Sequence, residues 1–391
     1  MKILHDSAIA NFLIATNLII WDEAPMMKKH YFEALDRTLK DIMHCDQIFG
    51  GKVIVLGADF QQIFPVIPGA SRVDIVNASI HSSYLWYHCK IYKLTMNMRL
   101  SASNFESEKV DIQSFSDWLL SIGDGSNSIE GGGQSIIHIP AEFLIFEFID
   151  PLKKIVETIC PQLEQNFMHE DFFTSKIILV PTLEVVDQLN NYICSIFSGD
   201  AVTYFSSDSI YKVDQHSDYF DDIYNTKFLN IIKCSGMPPH NLTLKVRVHV
   251  MLIRNIDQAN GLCNGIRLRI TLLADHFIRG VTLNGSKSGE EVYIHCMDLN
   301  PSEGNLPFLM HRQQFPIVLS FAMTINETQG QTLSKVRVYL LKSVFTHDQL
   351  YVALSRVTLK NGLKLLIHDS KFRPLTSTTN VVYKEIFQNV V

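Results

Sequence analysis

Apolar and polar residues fall into blocks along this chain, and the period of the blocks changes twice. Leu18-Ile19-Ile20-Trp21 is apolar at every position and stops at Asp22-Glu23-Ala24-Pro25. A short apolar run closed by charge and proline predicts a strand buried on both faces. Between Lys28 and Ile48, residues Phe32, Leu35, Leu39 and Ile42/Met43 recur at helical spacing, and Gly50-Gly51 closes that helix. Lys52–Leu56 predicts the next strand, Ile91–Leu94 another, and Phe115–Ile122 a short helix. Apolar strands alternating with helices are the pattern of a parallel sheet with helices on its faces.

Gly123–Ser135 (GDGSNSIEGGGQS) has linker composition. Strand–turn–helix then repeats. Lys176–Val180 is a predicted strand, Thr182 the predicted N-cap, and Val185/Val186, Leu189, Ile193 and Ile196/Phe197 an apolar helix face. From about Asn230 to Phe315 the period shifts towards two, as in Lys245–Ile253, Gly265–Leu273 and Glu291–Cys296. The α/β pattern returns with strands Ile317–Phe321 and Val336–Leu340, helix Gln349–Val357 and strand Leu363–Ile367. The expected organisation is α/β: a first domain over 1–125, a linker at 126–135, a second domain over 136–232 and 316–391, and a β-rich insertion at 233–315.

At 391 residues the chain has room for two or three domains. Its 47% hydrophobic and 19% charged residues fit a soluble globular protein. A net charge of −6 gives no global attraction to nucleic acid, so any phosphate contact needs a local basic groove. The seven cysteines include no C-x-x-C pair, which argues against a zinc site or a disulfide framework and for a reducing, intracellular compartment. Asn11 and Asn17 interrupt the N-terminal apolar run, and Trp21-Asp22-Glu23 stands where a cleavage site would be, so no secretory signal is read. No membrane span is expected.

Four clusters carry candidate chemistry. Asp22-Glu23 alone reads as a solvated strand end. A nucleoside-triphosphate site, however, needs one carboxylate for a Mg²⁺ shell and one to orient or deprotonate water, and adjacent carboxylates at a strand end serve both needs. Gly57-Ala58-Asp59-Phe60-Gln61-Gln62 follows the neighbouring strand, where the Gln62 amide is placed to sense a phosphate or a water. Arg99 and Arg356 have the planar, always-charged group that suits developing phosphate charge, although a lone arginine is ordinarily exposed or salt-bridged. Thr324-Ile325-Asn326-Glu327-Thr328-Gln329-Gly330-Gln331 is a polar turn with the hydroxyls, amides and glycine that can meet a nucleic-acid backbone. Gly280–Ser288 nearly matches a phosphate loop, but its lysine is one residue late and it lies between β-type runs, so it reads as a hairpin.

Together LIIWDEAPM, FEALDRTL, FGGKVIVLGADFQQIFPV, LTMNMRL, LIRNIDQANGLCNGIRL, QQFPIVLSFAMTINETQGQTL and QLYVALSRV resemble the petite-integration-frequency (PIF) family of superfamily-one DNA helicases, in its eukaryotic, Helitron-like branch. The resemblance implies two RecA-like, P-loop NTPase-type parallel-sheet domains with a small β-rich insertion in the second. It implies ATP- and Mg²⁺-dependent 5′-to-3′ unwinding, with single-stranded DNA and DNA junctions as partners. Repair, recombination and telomere maintenance in the nucleus or mitochondrion are the processes it suggests. Carried over residue by residue, Asp22 holds Mg²⁺ through water, Glu23 is the catalytic carboxylate and Gln62 couples the γ-phosphate to DNA. Arg99, Arg356 and Gly330 face the nucleotide, and Thr324, Asn326, Thr328 and Gln329 face DNA.

Departures accompany the match. Residues 1–391 hold no G-x-x-x-x-G-K-[ST] loop, so the first domain is expected to be N-terminally truncated, with no turnover without that loop and poor solubility. Glu327 stands where the family carries lysine, Gln61 replaces an arginine and Ala58 a glycine. The competing expectation is a non-catalytic, transposon-derived remnant that binds single strands or acts as a scaffold.

Overall fold

A computed structural model describes residues 3, 7–67, 69–96, 98, 106–127, 134–161, 175–210, 224–234, 236–285, 287–301, 306 and 308–389. Its main elements are α1 (Ala8–Ala15), β1 (Leu18–Trp21), α2 (Lys29–Met43), β2 (Val53–Leu56), α3 (Glu106–Gly123), β3 (Gln134–His138), β4 (Lys176–Val180), α4 (Leu183–Ile196), β5 (His249–Leu252), β6 (Arg267–Leu273), β7 (Phe277–Thr282), β8 (Glu291–His295), β9 (Ile317–Leu319), β10 (Ala322–Thr324), β11 (Lys335–Leu340), α5 (Gln349–Ser355), β12 (Leu363–Ile367) and β13 (Ser377–Val381). Two compact units result, 1–148 with 328–391, and 149–327.

In the first unit β1 and β2 pair in parallel, from Leu18 opposite Val53 to Trp21 opposite Leu56. Only alternate residues turn inward. Ile19, Trp21, Ile54 and Leu56 pack against a core containing Phe32, Leu39 and Phe49. Leu18, Ile20, Val53 and Val55 are exposed, Ile20 at 69%. Burial on both faces was expected; α2 and its neighbours cover one face, and the strand pleat leaves the other in solvent. Helix α2 stops at Met43 rather than Ile48 because His44 takes the left-handed conformation and caps it. Gly50 lies so close to α2 that a Cβ there would sit 2.6 Å from the Leu39 carbonyl oxygen. Asp36, buried on α2, accepts from Phe49 N–H (2.6 Å) and Tyr84 Oη (2.6 Å) and pairs with Lys40 (2.8 Å). The expected strand Ile91–Leu94 makes no ladder with a described residue, and Leu94 is 97% exposed. The short helix expected at Phe115–Ile122 is the C-terminal part of the longer α3.

The C-terminal stretch joins this unit by pairing. β11 and β12 run parallel, and β13 runs antiparallel to β3. Asn380 Nδ2 donates to the Ile122 carbonyl (2.8 Å), and Arg72 pairs bidentately with Glu385 (2.7 and 2.5 Å). Residues 328–391 belong to the same compact unit as 1–148.

In the second unit β4 and β10 pair in parallel. Thr182 is the N-cap residue of α4, but its side chain makes no capping bond. A five-stranded antiparallel sheet in the order β8-β7-β6-β5-β9 forms the expected β-rich part. The near-match beginning at Gly280 starts within β7, which pairs antiparallel with β8, the hairpin reading of that segment. The single strand expected at Ile317–Phe321 is instead two. β9 belongs to the antiparallel sheet and β10 to the parallel pair. The buried Asn190 of α4 holds the switch, donating to the Leu319 and Ala322 carbonyls (3.0 Å each) and accepting from Phe321 N–H (3.1 Å) and Ala322 N–H (2.8 Å). Among the described residues no helix is long and apolar enough to cross a membrane.

Candidate functional site

The C-terminal end of β1 is built to present two carboxylates. Gly57 N–H donates to the Trp21 carbonyl (2.8 Å), and Ala24 N–H donates to the Gly57 carbonyl (2.9 Å), so the turn after β1 is sewn to the turn after β2. Glu23 takes left-handed φ +53° and Pro25 starts the following 3-10 turn. The Glu23 N–H donates to Asp22 Oδ1 (3.0 Å), and Asp22 is exposed. Gly57 is required by contact, since a Cβ there would lie 2.5 Å from Asp22 Oδ1.

Glu23 binds its proton more tightly than an ordinary glutamate. Partial burial is the main cause, and the neighbouring Asp22 charge and Asp59 add to it. A hydrogen bond from the Gln62 side chain and the charge of Arg356 act in the opposite direction. Residues far apart in sequence thus converge within the first unit. Gly330, at φ +73°, joins them, with a Cβ there reaching 3.9 Å from Glu23 Oε1.

Asp59 is the residue that sequence reasoning quoted but did not assign. Its carboxylate accepts from Gln61 N–H (3.0 Å) and makes a long contact with Gln62 Nε2 (3.4 Å), while its carbonyl accepts from Gln62 N–H (3.1 Å). The D-x-x-Q spacing was the available signal. Gln62 Oε1 is buried and has no hydrogen-bond partner. The amide therefore presents an unused acceptor next to Glu23, a group that suits a water molecule.

Arg356 departs from the ordinary expectation for a helix-end arginine. It is buried, and its guanidinium donates to the carbonyls of Val352 (3.0 Å), Thr328 (3.3 Å) and Gln331 (3.4 Å) and to Ser355 Oγ (3.0 Å). It anchors the turn that carries Gly330. Gln329 Nε2 is buried without a partner, and Thr328 is fully buried. In the second unit Thr324 is buried at the end of β10, and Asn326 is partly exposed. Thr324 and Glu327 form a reciprocal cap. Glu327 Oε2 accepts from Thr324 N–H (3.0 Å), and Thr324 Oγ1 accepts from Glu327 N–H (3.3 Å). Glu327, which stands where the family carries lysine, is thereby engaged in closing its own turn. Arg99 lies outside the described residues.

Comparison with known proteins gives a consistent answer. The family model for PIF1-like helicase matches residues 1–131, and that for the 2B domain of DNA helicase Pif1 matches 227–273. Residues 1–131 and 227–273 are thus similar to PIF1-like helicases. The ATP-dependent DNA helicase PIF1 of Danio rerio is 23% identical over 381 residues, covering 94% of this chain and 49% of the relative. The ATP-dependent DNA helicase PIF1 of Homo sapiens is 35% identical over 136 residues, covering 33% of this chain and 20% of the relative. Where the match runs through most of it, the chain spans about half the length of such curated relatives. The crystal structure of Pif1 helicase from Candida albicans aligns with TM-score 0.62 at 22% identity, covering 98% of this chain and 78% of that one. Pif1 helicase from Bacteroides, in complex with ADP-AlF3 and single-stranded DNA, aligns with TM-score 0.63 at 18% identity, covering 93% and 74%. These likenesses place the fold with the RecA-like architecture of Pif1 helicases.

Proposed function

We propose that this chain carries motor elements of an ATP-dependent DNA helicase that translocates 5′ to 3′ on single-stranded DNA and opens duplex and junction DNA. The observation that carries the reading is the meeting of Glu23, Gln62, Gly330 and Arg356 around the end of β1, in a chain related to proteins named ATP-dependent DNA helicases. A structural relative in complex with ADP-AlF3 and single-stranded DNA supports nucleotide and single strand as ligands.

The residues fit the chemistry. Asp22, exposed and with one oxygen uncommitted, suits the water shell of Mg²⁺, which needs only one or two protein carboxylates. Bound Mg²⁺ would neutralise charge on the phosphates. Glu23, with raised proton affinity, accepts a proton from the attacking water, and the free Gln62 Oε1 orients that water. Arg356 supplies fixed positive charge next to Glu23, and Arg99 a second cation. Thr324, Asn326, Thr328 and Gln329 would offer hydroxyls and amides to a DNA backbone.

The test is DNA-stimulated ATPase activity of purified 1–391 beside a longer polypeptide that includes a G-x-x-x-x-G-K-[ST] loop. Turnover that needs DNA and disappears in Glu23→Gln supports the motor reading. Single-strand binding without turnover in either form replaces it with a non-catalytic DNA-binding protein.

A further inference from the structure

The second unit contains a cavity of about 490 Å³ whose lining includes none of Asp22, Glu23, Gln62 or Arg356. Its lining includes Val186 of α4, Met251, Leu319 and Met323, and the segment with Met237 and Pro239. The volume is that of a small-ligand site, and the walls are chiefly apolar, with flexible methionines that adapt to an occupant.

The charges around this cavity select its ligand. Arg312 lines it but is spent. It pairs with the buried Asp208 (2.9 and 2.7 Å) and donates to the carbonyls of Ile232 (3.3 Å), Pro238 (3.0 Å) and Leu229 (3.0 Å). Lys233 and Asp187 pair with each other in solvent at the mouth. Among the described lining residues, Glu327 is then the charged group without an ion-pair partner. One of its oxygens caps the turn through Thr324 N–H. It is an exposed carboxylate at the cavity rim.

We propose that this cavity binds an apolar amine: a hydrocarbon or aromatic body buried between α4 and the 237–239 wall, with one protonated nitrogen on Glu327. An anion of the same shape meets Glu327 as a like charge and finds both neighbouring cations already neutralised. Because Glu327 and Thr324 close the same turn, an occupant also holds the end of β10.

Cys234 lines the cavity, and the exposed Cys296 does not. Alkylation of both thiols by N-ethylmaleimide, followed by peptide mass spectrometry, reports occupancy locally. The probes are decylamine, decanol and decanoate, each below its micelle-forming concentration. Decylamine is expected to slow modification of Cys234 relative to Cys296 by about two- to fivefold beyond decanoate, the scale of one exposed charge pair. Glu327→Gln retains the turn cap, since glutamine serves in the same motif, and should bring decylamine down to the level of decanol. Asp187→Asn frees Lys233 and should shift preference towards decanoate. Equal protection by amine and carboxylate, equal slowing of both cysteines, or no protection at all overturns the proposal.

Discussion

Asp348 is the residue at which the structure makes its sharpest energetic statement. It heads α5 at φ +50° with no side-chain capping bond, and its side chain is fully buried. Neither carboxylate oxygen has a hydrogen-bond partner. His347 Nε2 lies 3.2 Å from Asp348 Oδ2, but this is no ion pair. Burial lowers the His347 pKa to about 3, so the ring is neutral. Its Nδ1 accepts from Tyr383 N–H (3.1 Å), which puts the proton on Nε2, where the Phe60 carbonyl accepts it (3.2 Å). Burial, with the charges of Asp59 and Asp124, holds the Asp348 pKa well above the usual 3.8. Asp348→Gly removes an unsatisfied buried group, worth about 1–3 kcal/mol, and relieves left-handed strain of about 1 kcal/mol. It adds unfolded-state entropy of about 0.5–1 kcal/mol. The expected net gain is therefore about 1–3 kcal/mol at neutral pH. The pH dependence has a defined sign. Below 3.8 both folded and unfolded states hold the proton and there is no penalty. As pH rises above that value the unfolded chain releases the proton while the folded chain keeps it, so wild-type stability falls until the raised folded pKa is passed. Urea unfolding of wild type, Asp348→Gly and Asp348→Asn at acid and neutral pH tests this. Both variants should gain most at neutral pH, and asparagine should gain less than glycine because it keeps the strained φ. A glycine variant less stable than wild type at neutral pH refutes the reasoning.

Three further outcomes are expected. Arg312→Leu strands the buried Asp208 carboxylate and should cost about 3–5 kcal/mol in urea unfolding, with Asp208→Leu/Arg312→Leu recovering much of it; equal costs for single and double variants would contradict this. Ile20→Thr with Val53→Thr removes two exposed apolar side chains from the open face of β1–β2, and should lower concentration-dependent light scattering with a stability change under about 1 kcal/mol. Gly57→Ala forces Asp22 aside and should cut turnover of an ATPase-competent polypeptide on the order of 10²-fold while circular dichroism stays unchanged; undiminished turnover would remove Asp22 from the site.

Local pattern determined much of this protein. The β1 run and its abrupt Asp22-Glu23 ending, the helical stripe of α2, the second strand–turn–helix unit and the period-two stretch around β5–β8 were all legible, because each is a repeat over a few consecutive residues. So was the similarity to PIF1-like helicases, since long motif blocks retain their order. Other features depended on contacts between distant residues. Whether β1 and β2 are buried on one face or two depends on what covers them, and the apolar run alone is silent on that. Ile91–Leu94 has strand composition, but a strand exists only by pairing. The division of Ile317–Phe321 into β9 and β10 was decided by Asn190, more than a hundred residues earlier in the chain. Arg356 appeared in sequence as a helix-end cation, and only folding buried it among the carbonyls of the Gly330 turn. Asp59 gained its place through hydrogen bonds to Gln61 and Gln62, and Asp348 its isolation through burial by remote segments. Sequence periodicity therefore specified the elements, whereas charge states, pairings and the convergence on Glu23 came from long-range packing that no local window contains.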